Sequence, residues 1–131
     1  MWRSDTVRFS NDDSKTEAMV ARYLASLVNE RLRKHVPGLQ LSLNMFMYSM
    51  YGRYPGELIY SDPKAFMTAL RKYFRDPDVA VRLVKYILKP LEDCGEEGRE
   101  ALRALLDGRW DDFKRLATLA LKSKARKWAK T

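Results

Sequence analysis

Between Lys34 and Arg53 the chain carries no Asp, Glu, Lys or Arg, although such residues make up 32% of its 131 positions. The segment from Leu39 to Tyr54, LQLSLNMFMYSMYGRY, therefore constrains the fold more than any other. Leu43, Phe46, Met47, Met50, Tyr51 and Tyr54 fall at i, i+3, i+4, i+7, i+8 and i+11, the spacing of one helix face. The other face offers Ser42, Asn44, Met45, Tyr48 and Ser49, which suits water poorly on any side. The segment is thus expected as a buried central helix. A strand is the competing reading: Leu39, Leu41, Leu43, Met45 and Met47 alternate with Gln40, Ser42, Asn44 and Phe46, but the alternation breaks at Phe46 and fails again from Tyr48 to Tyr51.

The flanking sequence reads as helices punctuated by proline and glycine. Residues 1–11 lack a clean period, and Trp2, Val7 and Phe9 are expected to dock as an arm or short strand. Ser14 and Glu17 have the form of a capping box, after which Val20, Tyr23, Leu24, Leu27, Val28 and Leu32 keep helical spacing up to Pro37-Gly38. Tyr54-Pro55-Gly56 reads as a turn, and Leu58, Ile59 and Tyr60 as a short apolar bridge. Asp62-Pro63 and Asp76-Pro77 each place a capping carboxylate before a proline at the first helical position. Pro90 should kink or end the second of these helices. A short helix around Leu102, Leu105 and Leu106 stops at Gly108, and a last one starts near Arg109 to Asp112 with Trp110, Phe113, Ala117, Leu121, Ala125 and Trp128 along one stripe. The expected fold is all-α, one domain over residues 1–131, with five or six helices packed around 39–54 and a basic C-terminal helix over 109–131.

Composition narrows the class. Hydrophobic residues at 46% support a packed core. One cysteine, Cys94, rules out an internal disulfide framework, and with a single histidine, His35, it rules out the usual Cys/His zinc sites. The lone cysteine fits a reducing, cytoplasmic setting. Residues 1–10 hold no apolar run resembling a signal peptide, and Pro37, Gly38, Gln40 and Asn44 interrupt the charge-free stretch, so neither secretion nor a membrane span is expected. One Gln and three Asn among abundant Lys, Arg and Glu resemble the composition of proteins from hot environments.

Charge is distributed unevenly. The net charge is +8, and residues 113–131 hold Lys114, Arg115, Lys122, Lys124, Arg126, Lys127 and Lys130 without a single acid. The remaining residues carry 18 bases against 17 acids, so the excess is local. Arg115, Lys122, Arg126 and Lys130 project within about 80° of one another on a helix. Such a stripe can neutralise phosphates and release counterions, which points to DNA or RNA, with Trp128 able to stack on bases. The plainer alternatives are a solvated helix end that keeps the protein soluble, with Trp128 packed on its own domain, or an anionic membrane or acidic protein surface.

Two helix-pair patterns touch the same region. Ala104 and Gly108 stand at positions five and nine of a window beginning at Glu100, as in a helix-turn-helix, but position fifteen is Lys114 where an apolar residue belongs. The run ALRALLDGRWDDFKRLATLAL also looks like a tetratricopeptide seam, yet no second copy follows at the 34-residue period. Catalysis is not expected. His35, beside Arg33 and Lys34, reads as a helix cap, and Glu96 and Glu97 beside Cys94 disfavour a thiolate. No Gly-rich phosphate loop, DxD cluster or HExxH is present, so no cofactor or metal is assigned. Met45, Met47, Tyr48, Met50 and Tyr51 are either core or an adaptable partner groove.

The segment YPGELIYSDPKAFMTALRKYFRDPDVAVRLVKYIL, through Asp62-Pro63, Phe66, Ala69-Leu70 and Phe74, resembles a family of small archaeal all-helical domains catalogued as signalling output domains. It departs from that pattern at Arg75, where glycine is expected. The resemblance implies an interaction or output module without catalytic residues, and carries over no site. The function expected is a small non-enzymatic binding module whose candidate nucleic-acid residues are Arg115, Lys122, Lys124, Arg126, Lys127, Lys130 and Trp128. The alternative is a protein-interaction or regulatory module, dimeric or docking through an apolar surface.

Overall fold

The computed structural model describes the backbone of residues 2–35 and 37–130 and the side chains of residues 14–34 and 37–130. Eight helices and no strand occur among them: α1 Trp2–His35, α2 Pro37–Tyr51, α3 Pro55–Ser61, α4 Pro63–Phe74, α5 Pro77–Ile87, α6 Lys89–Glu92, α7 Glu96–Asp107 and α8 Trp110–Lys130. The all-α class holds, and the count exceeds five or six because Pro55–Ser61 and Lys89–Glu92 close helical turns of their own. The docking of Trp2, Val7 and Phe9 and the capping role of His35 concern side chains outside the described residues. Ser14 and Glu17, expected to cap the first helix, lie within α1, since neither Gly nor Pro interrupts the chain between Trp2 and His35.

Proline sets the rhythm of the first half. Pro37, Pro55, Pro63 and Pro77 each open a helix, where the missing amide leaves no bond unmade and the fixed φ suits the first turn. Asp62 accepts a hydrogen bond from the Ala65 amide (3.1 Å) and Asp76 from the Asp78 amide (3.0 Å), so both expected caps form. α4 ends on Arg75 in the left-handed conformation (φ 62°), its amide donating to the Arg71 carbonyl at 3.0 Å. That conformation costs a side chain about 1–2 kcal/mol, which glycine escapes, while glycine's looser unfolded chain returns part of the gain. Arg75→Gly is therefore expected to stabilise the fold by about 0.5–1 kcal/mol. A lowered urea midpoint would contradict this.

The core draws on all eight helices, chiefly α1, α3, α4, α5, α7 and α8. Val20, Leu24, Val28 and Leu32 of α1, Phe66, Met67 and Leu70 of α4, Val84 and Ile87 of α5, Leu102 and Leu105 of α7, and Phe113, Ala117 and Leu121 of α8 are all buried. Arg31 reaches from α1 to the end of α5: its Nη2 donates to the Tyr86 carbonyl oxygen (2.8 Å) and its guanidinium lies 4.2 Å from the Tyr86 ring centroid. A cation there complements the carbonyl end of the α5 dipole.

The central element differs from the one expected. α2 buries Leu43 and Met47 and half-buries Leu39, Phe46 and Met50, whereas Leu41 (63% exposed), Met45 (68%), Tyr48 (53%) and Tyr54 (49%) face solvent. It covers the side of α1, α3 and α4 and has nothing outside it among the described residues. The more deeply buried helix is instead α3, in which the consecutive Leu58, Ile59 and Tyr60 are all buried and only Glu57 and Ser61 face solvent. Gly56 makes this possible, because a Cβ there would lie 2.8 Å from the Ala25 carbonyl oxygen of α1.

Candidate nucleic-acid interface

α8 has two halves with different chemistry. Its first half is held in the body by Phe113, Ala117 and Leu121, and the stripe continues to Ala125, also fully buried. Asp111 and Asp112 occupy the first turn, where the helix dipole favours acids. Arg109 sits between α7 and α8 with Glu100 (3.6 Å), Asp107 (3.7 Å) and Asp112 (3.2 Å), and Asp112 also pairs with Arg115 (3.4 Å). These contacts are exposed, and each is worth about 0–1 kcal/mol.

The second half differs. Lys122, Lys124, Arg126, Lys127 and Lys130 are all exposed, and among the described residues none has a carboxylate within 4.0 Å. Arg126 and Lys130 point away from the stripe of buried residues, Lys122 lies to one side of them and Lys127 and Lys124 to the other, so the last turns are basic over a little more than half of their circumference. Lys127 and Lys130 also complement the carbonyl end of the helix dipole.

Two residues proposed from the sequence stand apart from this group. Arg115 belongs to the ion cluster of the first half, and lies about 10 Å along the axis from Lys122. Trp128 is 41% exposed and meets Tyr23 of α1 edge to face, with ring centroids 5.9 Å apart. Its ring is on the core side of the helix, roughly opposite the Lys122, Arg126 and Lys130 line. The Arg115 contact was readable as an i, i+3 pair with Asp112; the Trp128 contact depends on how α1 meets α8, which no local pattern contains.

The hairpin preceding this region is tight. α7 and α8 are joined by Gly108-Arg109, with the Arg109 amide bonded to the Ala104 carbonyl (2.8 Å). Lys114, at the position where a DNA-reading hairpin needs an apolar residue, is half-buried with its ammonium 5.4 Å from the Tyr60 ring centroid. Asp111 and Asp112 would also face phosphate at the start of the second helix of such a hairpin. The exposed cations at the far end of α8 have no such acids beside them.

A hydroxyl pair and a thiol contact lie away from this end of α8. The Tyr60 hydroxyl and Thr118 Oγ1 are 2.7 Å apart, and Thr118 donates on to the Lys114 carbonyl (2.7 Å). Burial holds the Tyr60 phenol above its ordinary range, partly opposed by the Thr118 hydrogen bond, so it stays protonated at neutral pH. The Cys94 thiol donates to the Pro90 carbonyl (3.2 Å). Among the described residues no group of three His, Cys, Asp or Glu side chains is placed to hold a metal, and no helix is long and apolar enough to cross a membrane.

The outer face of α2 is where the sequence left core and partner groove both open. Leu41, Met45 and Tyr48 stand at i, i+4 and i+7, and Tyr54 stacks on Tyr48 with ring centroids 5.2 Å apart. Of the Met/Tyr set weighed as core or groove, Met47 is core and Met50 half-buried, while Met45, Tyr48 and Tyr51 are on the surface. Comparison with protein-family models, with curated proteins and with solved structures gives no match to this chain.

Proposed function

We propose that this chain is a small, non-enzymatic, cytoplasmic binding module that holds nucleic acid on the C-terminal half of α8. The observation that carries the reading is the run of five exposed cations, Lys122, Lys124, Arg126, Lys127 and Lys130, with no carboxylate partner among the described residues. Four of the five are lysines, which act on phosphate as flexible point charges and lack the rigid planar fork of arginine. Binding is therefore independent of sequence and governed by counterion release. Trp128 contributes packing on Tyr23 and no base stacking. A protein-interaction or regulatory role is the second reading, favoured by a separate surface, the uncharged outer face of α2.

Fluorescence anisotropy with a labelled duplex and a labelled single strand across a salt series tests the proposal. Five phosphate contacts give a slope of log affinity against log salt of about −4 to −5 for duplex, and shallower for a single strand. Replacing Lys122, Arg126, Lys127 and Lys130 together by alanine is expected to reduce the slope to about −1 and to weaken low-salt binding by more than about 100-fold. No binding at low salt, or an unchanged slope in the variant, would sink the reading.

A further inference from the structure

We propose that the outer face of α2 is a two-fold interface with a second copy of this chain, formed independently of any nucleic acid. Leu41, Met45 and Tyr48 are the side chains of α2 directed most squarely away from its buried face, at 63%, 68% and 53% exposure. Solvent-facing helix positions are normally polar, so a Leu-Met-Tyr line there marks a surface that something covers.

Three observations select a second copy as the occupant. The first is charge. Seven of each chain's +8 lie on residues 113–131, so an approach that brings two basic α8 ends together is repelled, whereas α2 has no charged residue from Pro37 to Tyr51 and meets no such repulsion. The second is the dipole. α2 has no acid in its first turn and no base in its last, leaving both ends of its dipole without a matching side chain. Two α2 helices packed antiparallel across a two-fold axis set each amide end beside the other's carbonyl end. The third is register. In that arrangement an axis passing between Asn44 and Met45 sets Leu41 of one copy against Tyr48 of the other, twice, with Met45 facing Asn44 at the centre. An isologous contact needs this self-complementary spacing, and the face has it.

Area sets the class of interface. Leu41, Met45, Tyr48, Tyr51 and Tyr54 together expose on the order of 500 Å² per copy, so pairing removes about 1,000 Å² in total, the lower limit for a specific interface. An interface at that limit belongs to the weak, reversible class.

The test is light scattering on protein freed of nucleic acid, over a concentration series, with far-UV circular dichroism on every variant. Wild type is expected to move from the 15.3 kDa chain mass toward twice that value as concentration rises. Met45→Glu puts a carboxylate near its own image across the axis and is expected to stay at the chain mass throughout, with unchanged helicity because the side chain is already in water. Leu119→Glu, on the exposed side of α8, is expected to pair as wild type does. Wild type at the chain mass at every concentration overturns the proposal, as does a Met45→Glu variant that still pairs or a Leu119→Glu variant that does not. Because no nucleic acid is present, this outcome stands or falls separately from binding at α8.

Discussion

Gly98→Ala is expected to destabilise the protein by about 3 kcal/mol or more, against a helix-propensity gain of about 1 kcal/mol that the same change would bring in an isolated helix. Gly98 is buried in the first turn of α7, where α6 crosses it. A Cβ there would lie 1.9 Å from the Leu91 carbonyl oxygen and 3.0 Å from its carbonyl carbon. Those atoms are backbone, and the Leu91 oxygen also accepts the Cys94 amide (3.0 Å), so relief requires moving a whole turn of α6. Leu88 and Leu91, both fully buried, would move with it. Sterics therefore outweigh propensity. Gly38, in the first turn of α2 with nothing within 4 Å of its added Cβ, supplies the contrast. Gly38→Ala is expected to be neutral or slightly stabilising, and urea denaturation of the pair measures both signs. A loss below about 1 kcal/mol for Gly98→Ala would mean that α6 and α7 do not meet this closely.

Phe113→Ala is expected to cost about 3–5 kcal/mol, the range for truncating a fully buried aromatic residue without collapse of the site. Phe113 is 0% exposed in the first turn of α8. The neighbours on its stripe are small or distant: Ala117 one turn on, then Leu121, then Ala125. Phe113 is consequently the largest fully buried side chain of α8. With total stabilities of about 5–15 kcal/mol, such a loss leaves the variant close to its unfolding threshold. Chemical denaturation is the measurement, with Leu119→Ala on the exposed side of the same helix expected to stay within about 0.5 kcal/mol of wild type. A Phe113→Ala loss under about 1.5 kcal/mol would show that α8 is held mainly elsewhere.

Local grammar was legible in the sequence where one residue decides one turn. Pro63 and Pro77 announced the starts of α4 and α5, Asp62 and Asp76 announced their caps, and the stripe from Phe113 to Ala125 announced the inner face of α8. The five cations beyond Leu121 were legible because charge needs no partner to be counted. Burial of α2 was not legible, for a physical reason. Leu43 and Met47 share one face while Leu41, Met45 and Tyr48 share the opposite one, and both sets keep helical spacing, so periodicity gives a period without a phase. Absence of charge looked like a sign of enclosure, but enclosure depends on how many neighbours arrive, and α2 receives them on one side. α3 was missed because Pro55-Gly56 reads equally as a turn or as the opening of a helix. The glycine's role there, close approach to Ala25, is a tertiary fact. Arg75 shows the reverse case: the position where glycine was expected does adopt the conformation that glycine favours, and arginine bears the strain.

The ion cluster centred on Arg109 has a consequence for temperature. Its members pair across α7 and α8 in water, where each contact contributes little against the cost of ordering long side chains. The hydration of charged groups becomes less favourable on heating, while the gain from burying apolar surface levels off. The α7 and α8 pair thus gains cohesion relative to the rest of the fold as conditions grow hotter. The start of α8 stays tied to α7 under thermal stress, and that joint strengthens in relative terms when the apolar contacts around it do not.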